Sequence, residues 1–198
     1  MMFQFVSIAT FSVAASMALN LGVPHTKSKA PDYKTVVAEG VARAKKEGKQ
    51  VFLQFGASWC VPCHMAETAL RQPKYANILD KYYVFVKIDV YDQKQRPDLE
   101  NDGAVADIPR IFGKMFTLPA FAILDSDGNL RTNFIYDHDG QKTRISPLQG
   151  YPYIGAYLRL LHAATPKFSM DDFVALRKIL EEDDKNSDHS SQKGSTGG

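Results

Sequence analysis

Cysteine is scarce in this sequence: two residues in 198, Cys60 and Cys63. A lone pair three positions apart excludes a disulfide framework, because its bridge closes a loop too short to constrain the unfolded chain. The value of such a bridge is chemical. An excess of charge is also missing. There are 24 Lys and Arg against 22 Asp and Glu, a formal net charge of +2, so bulk charge points to no nucleic-acid or membrane-surface partner. Charge is absent altogether from residues 1–18, and after Leu21 no segment is apolar for long enough to cross a bilayer. No internal repeat is visible.

The uncharged start, apolar from Phe3 to Leu21 and carrying Ser16-Met17-Ala18 as a small-x-small cleavage site, reads as a secretory signal peptide over 1–18. Its n-region has no Lys or Arg, and about 18 apolar residues can span a bilayer, so an uncleaved membrane anchor and an ordinary buried N-terminus are the alternatives. The expected location is periplasmic or secreted, with membrane contact only through an uncleaved N-terminus. Residues 19–31 read as a linker and 32–183 as one folded domain. The stretch 184–198 has no aliphatic residue and reads as a disordered tail.

Within the domain, Asp32 is a helix cap, followed by Tyr33, Val36, Val37, Gly40, Val41 and Ala44 on one face. Lys45, Lys46 and Gly48 make a C-terminal stop. Gln50 to Phe55 reads as a buried strand, Cys60 to Leu70 as a helix broken near Pro73, and Tyr82 to Val90 as a second strand. A short helix is expected around Ile108 to Met115 and a strand over Ala120 to Leu124. A hairpin turn at Asp125 to Asn129 leads back into a paired strand from Leu130 to Tyr136. Helices follow from about Pro152 to Ala163 and from Ser169. This order gives an α/β fold with a mixed sheet of four to five strands between helices, an insertion over 92–116 and an extra C-terminal helix.

The segment Val51-Phe-Leu-Gln-Phe-Gly-Ala-Ser-Trp-Cys-Val-Pro-Cys-His-Met-Ala-Glu67 places the two cysteines where a buried strand turns into a helix. Unpaired N–H groups and the dipole at a helix N-terminus favour an anion, and the thiolate is the nucleophile. Cys60 comes first and lies nearest those donors. Cys63, one turn on, can attack a mixed disulfide formed on Cys60. Pro62 falls in the first turn, where a missing N–H costs little.

Trp59-Cys60-Val61-Pro62-Cys63 resembles the active-site signature of the thioredoxin superfamily. Thr117-Leu118-Pro119-Ala120, running into a strand and the Asp127-Gly128 turn, resembles its cis-proline segment. The likeness covers about Asp32 to Ala163 and is greatest to exported bacterial thioredoxin-like proteins. It implies a thiol–disulfide oxidoreductase with catalytic Cys60 and Cys63, supported by Trp59, Pro62, His64, Leu118 and Pro119, with Pro119 cis and beside the cysteines. It implies protein or small disulfides as substrates, a further redox partner, no cofactor or metal, and a monomer. Val61-Pro62 between the cysteines resembles reductants rather than strong oxidants.

Two positions depart from the family pattern. Its buried Asp, six residues before the first cysteine, is Gln54 here, which cannot take a proton, so water, Glu67 or another group must serve. The basic residue that usually follows the second cysteine is His64, which titrates near neutrality and is either a surface residue or a tuner of the thiols. The insertion, with Arg96, Asp98, Glu100 and Asp102, is either a solvated loop or a determinant of partner choice. Other functions compete with exchange chemistry. A binding or chaperone-like module would keep the fold without turnover. Cys60-x-x-Cys63-His64 also matches c-type haem attachment, with His64 as one axial ligand and Met115 or Met170 as the other. The strand–Trp–Cys context and the Pro119 segment oppose that. A zinc site lacks a second cysteine pair, and His25 and His138 stand in unrelated segments.

Overall fold

The computed structural model describes residues 29–146 and 153–193. The expected signal segment 1–18 and most of the linker lie outside them. The order is α1 (Tyr33–Glu47), β1 (Gln50–Gly56), α2 (Val61–Leu70), α3 (Pro73–Leu79), β2 (Tyr83–Asp89), α4 (Ala104–Phe112), β3 (Ala120–Leu124), β4 (Leu130–Thr132), β5 (Ile135–His138), β6 (Gln141–Arg144), α5 (Ile154–Ala164) and α6 (Met170–Lys193).

Four strands form one mixed sheet in the order β2-β1-β3-β4. β1 runs parallel to β2 and antiparallel to β3, which pairs antiparallel with β4. The strand alternation sorts the core into two layers. Phe52, Phe121 and Ile123 face a cluster built with α2, α3, α5 and α6. Val51, Leu53, Phe55, Ala120 and Ala122 face the opposite cluster, with Tyr33 and Ala44 of α1 and Ile108, Ile111 and Phe112 of α4. Helices therefore cover both faces, as a sheet with a parallel pair requires. Asp32 caps α1 by accepting from the Thr35 N–H at 3.1 Å, and Gly48 ends it in the left-handed region at φ 66°. Gly40 lets α1 lie on the sheet: a Cβ there would come within 2.5 Å of Val86 Cγ2.

Several expected boundaries move. The helix beginning at the cysteines stops at Leu70 as expected, but Pro73 starts α3 instead of merely ending its predecessor, since proline fits the first helical turn. α4 begins at Ala104, earlier than expected, behind Gly103 at φ 83°. The single return strand expected over 130–136 is divided. β4 stops at Thr132, Phe134 takes φ 55°, and the chain starts a separate hairpin in which β5 pairs with β6. The side chain of Phe134 explains the break: it is fully buried and stacks on Tyr157 at 5.4 Å.

The expected disordered tail gives way to helix as far as Lys193. The helix that the tail continues is anchored before residue 184. Leu176 and Leu180 are buried in the core, and Asp183 bonds Lys74 and the Tyr75 hydroxyl. Asp172 accepts from Lys81 at 2.7 Å and from the Tyr82 hydroxyl at 2.6 Å. Those donors hold the Asp172 carboxyl below the usual carboxylate range. A carboxyl depressed in the fold stabilises above its unfolded pKa, about 4, and that stability is lost as pH falls through the folded value. Acid titration followed by hydrogen exchange in α6 should show protection falling below about pH 4. The Asp172→Asn variant should lack about 0.5–1 kcal/mol of that pH dependence, since Lys81 remains half exposed.

Candidate active site

β1 ends at Gly56, a turn through Ala57 and Ser58 follows, and α2 begins with Cys60 as its N-cap residue. Cys60 and Cys63 are joined by a disulfide, with Cα atoms 5.3 Å apart. The Cys63 N–H points at Cys60 Sγ at 3.3 Å, so the sulfur itself occupies the capping position. Opening the bridge would leave a Cys60 thiolate with a backbone donor already aimed at it and the positive end of α2 beneath it.

Both sulfurs are buried: Cys60 is 4% exposed and Cys63 only 1%. Leu118 packs against both, together with Ala57. The remaining access runs along an open groove of about 550 Å³, lined by Trp59, Cys60, Val61, Pro62, Tyr91, Phe116, Thr117 and Leu118.

The Leu118–Pro119 peptide is cis. The β1–β3 register pairs Phe55 with Ala120, which brings Pro119 alongside Gly56 and the cysteine turn. Trp59 is half exposed, and its indole N–H donates to the Tyr91 carbonyl at 3.0 Å. His64 is exposed, and its Nε2 bonds the Ser58 carbonyl at 2.9 Å, an acceptor, so Nε2 carries hydrogen. The ring braces the turn. Pro62 is exposed in the first turn of α2. Gln54 is buried and donates to the Cys63 carbonyl at 3.1 Å, holding the helix start where the family places an acid. Glu67 is no free surface residue: it pairs with Arg71 at 3.2 Å and with Lys87 at 3.6 Å.

Sequence reasoning missed several contributors. Asp92 is fully buried and accepts from the Ser58 N–H at 2.9 Å and from the Ser58 hydroxyl. Its own N–H donates to buried Glu100 at 2.6 Å. Asn101 exchanges bonds with the backbone of Asp89 and holds Pro31. The first part of the insertion is thus an internal polar brace for the cysteine turn. An acid immediately after an apolar strand was the available signal. Lys87 and Asp89 lie on β2 under α2, with Lys87 Nζ 3.3 Å from Asp89 Oδ1.

Arg144, on β6, left no local signal. Its Nη1 donates to the carbonyls of Thr117 at 2.5 Å and Pro119 at 2.6 Å. Partial burial pulls its pKa below the usual arginine value. The two carbonyls flanking Leu118 are thereby taken, and among the described residues nothing bonds the Leu118 N–H or carbonyl. The Arg144→Gln variant should raise KM for a protein disulfide about tenfold by loosening that loop, with the rate on a small aromatic disulfide unchanged. Parallel assays on the two substrates check this.

Among the described residues no group of three or more His, Cys, Asp or Glu is placed to hold a metal ion. No described helix is long and apolar enough to cross a membrane.

A disulfide at a strand-to-helix turn, facing an X-Pro bond at the head of an antiparallel strand, defines a thioredoxin-like protein with the residues of a thiol–disulfide oxidoreductase. Residues 32–126, slightly under half the chain, match the model of the family described as thioredoxin-like. The match includes the cysteines, Leu118 and Pro119. No curated protein matches the chain. Similar solved structures include a disulphide isomerase from Xylella fastidiosa Temecula1, 24% identical, covering 83% of this chain and 98% of its own, at a TM-score of 0.42. Another is a DsbH oxidoreductase, 17% identical, covering 75% of this chain and 94% of its own, at 0.40.

Proposed function

We propose that the protein reduces protein disulfides in an extracytoplasmic compartment by dithiol–disulfide exchange through Cys60 and Cys63. One observation carries the proposal: Cys60 Sγ caps α2, bonded to Cys63 and reached through a groove whose Leu118 backbone is unpaired among the described residues. Reduced Cys60 attacks one sulfur of a substrate disulfide and displaces the other as a thiolate, which takes a proton. Cys63 then loses its proton and attacks Cys60 Sγ. The Cys60–Cys63 bond forms, the bond to substrate breaks, and the second substrate sulfur leaves as a thiol. Two electrons pass to the substrate. Another dithiol must then reduce the pair again.

An extended substrate has a place to bind. The Leu118 N–H and carbonyl can pair with its backbone as an added strand, while Trp59, Tyr91 and Phe116 offer apolar contact to its side chains. The uncharged N-terminal stretch supports export. The direction of electron flow rests on reduction potential, which redox titration against a thiol buffer measures. A value near about −270 mV supports a reductase, whereas one near about −120 mV would make the protein an oxidant of its clients.

A further inference from the structure

The exchange cycle needs a group to take the Cys63 proton, and Gln54 is unable to do so. The register of β1 and β2 shows what lies below Cys63. Gly56 pairs with Asp89, and Gln54 pairs with Lys87. Gly56 has no side chain. A Cβ built there would sit 3.7 Å from Cys63 Sγ, 3.4 Å from Cys63 Cβ and 3.9 Å from Lys87 Cε. The space that a larger residue would fill is therefore shared by the second sulfur and the Lys87 side chain, whose ammonium reaches Asp89. Lys87 and Asp89 are two apart on the strand, so both project to the side of the sheet that α2 covers. The Asp89 Oδ1 is sealed from solvent and makes no well-directed hydrogen bond, with the Lys87 ammonium 3.3 Å away.

We infer that Asp89 is the proton acceptor for Cys63, taking from the adjacent strand the role that Gln54 leaves vacant. This rests on the exchange chemistry proposed above. In the resolving step the Cys63 S–H gives its proton to the Asp89 carboxylate. The resulting thiolate attacks Cys60 Sγ and expels the substrate thiolate, and the proton goes on to the leaving sulfur or to water. In the reverse direction Asp89 returns the proton to Cys63 as the Cys60–Cys63 bond opens. Electrons move only between sulfurs, and Asp89 carries one proton each way.

The surrounding charges fit that task. Burial raises the Asp89 carboxyl above the usual carboxylate range, bringing it toward a thiol, while Lys87 opposes the rise, and Asp92 and Glu67 add to it. Glu67 is itself paired with Arg71 and Lys87. A polar cavity of about 640 Å³, lined in part by Gln54, Glu67 and Lys87, opens on this side of α2, away from the substrate groove.

An aromatic disulfide whose thiolate is coloured separates the two steps. Reduced protein attacks it with Cys60 and releases one coloured thiolate. Cys63 then resolves the mixed disulfide and releases a second, in a slower phase followed by stopped flow. The Asp89→Asn variant should slow the second phase about tenfold or more at pH 7, with the first phase within about twofold of the original. Asp89→Glu, which keeps the carboxylate, should recover much of the loss. If Asp89→Asn does not fold, Asp89→Ser takes its place. The assignment is overturned if the second phase is unchanged, if both phases slow together, or if Asp89→Glu is as slow as Asp89→Asn. If the original protein lacks even the first phase, the proposed exchange function itself fails, an outcome distinct from loss of the second phase alone.

Discussion

The Cys60→Ser variant should lose disulfide-reducing turnover by about 10³-fold or more, because a hydroxyl at the N-cap is not a nucleophile near neutral pH. Cys63→Ser should fail differently. Its Cys60 remains able to attack, so one equivalent of substrate should stay attached as a mixed disulfide that mass spectrometry detects on residue 60. The difference follows from the geometry: Cys60 holds the capping position and lines the groove, whereas Cys63 is buried one turn on. An insulin-reduction assay on both variants also separates catalysis from a binding module with the same fold. A binding module would show the same rate with and without the Cys60 sulfur.

The second large effect is on stability. Phe52 is fully buried on β1, with Tyr83, Phe85, Phe121 and Phe134 at centroid distances of 5.6, 5.0, 5.8 and 5.8 Å. Those neighbours come from β2, from β3 and from the break after β4, so the ring ties three segments of the sheet layer together. Truncation removes its burial and leaves a cavity that strands on both sides cannot close. Phe52→Ala should cost about 3–5 kcal/mol, measured by denaturant unfolding of the oxidised protein. Phe52→Leu should lose markedly less. A loss under about 1 kcal/mol for the alanine variant would mean that the cluster does not hold the sheet.

Local pattern and long-range contact divide what the sequence shows from what it hides. Gln50 to Phe55 and Ala120 to Leu124 are legible as strands because both layers bury them, leaving short apolar runs between turn residues. Cys60 at the helix start is legible because Gly56, Ala57 and Ser58 cannot continue a buried strand and Pro62 suits a first turn. The division of β4 from β5 is not, since it depends on Phe134 meeting Tyr157, a residue 23 positions away. The persistence of α6 depends on Lys74, Tyr75 and Lys81, which reach it from distant elements.

The same division runs through the site. Cys60, Cys63, Leu118 and Pro119 are carried by two motifs, and the structure brings those motifs together. Trp59, Pro62 and His64 lie where the turn puts them, with His64 bound to the turn itself. Asp89 and Arg144 announce nothing in their own segments. Asp89 acquires its place from the register against Gly56, and Arg144 from a hairpin that crosses to the Pro119 loop. Gln54 looks like a lost acid in sequence, yet in the fold it donates to the Cys63 carbonyl and positions the helix.

The pH dependence of Cys60 alkylation in the reduced protein tests the central claim most directly, with the modified residue identified by peptide mapping. A sulfur that caps α2 should react first, with an inflection well below the ordinary thiol value of about 8.5. Alkylation that begins at Cys63, or an inflection at or above that value, would contradict it.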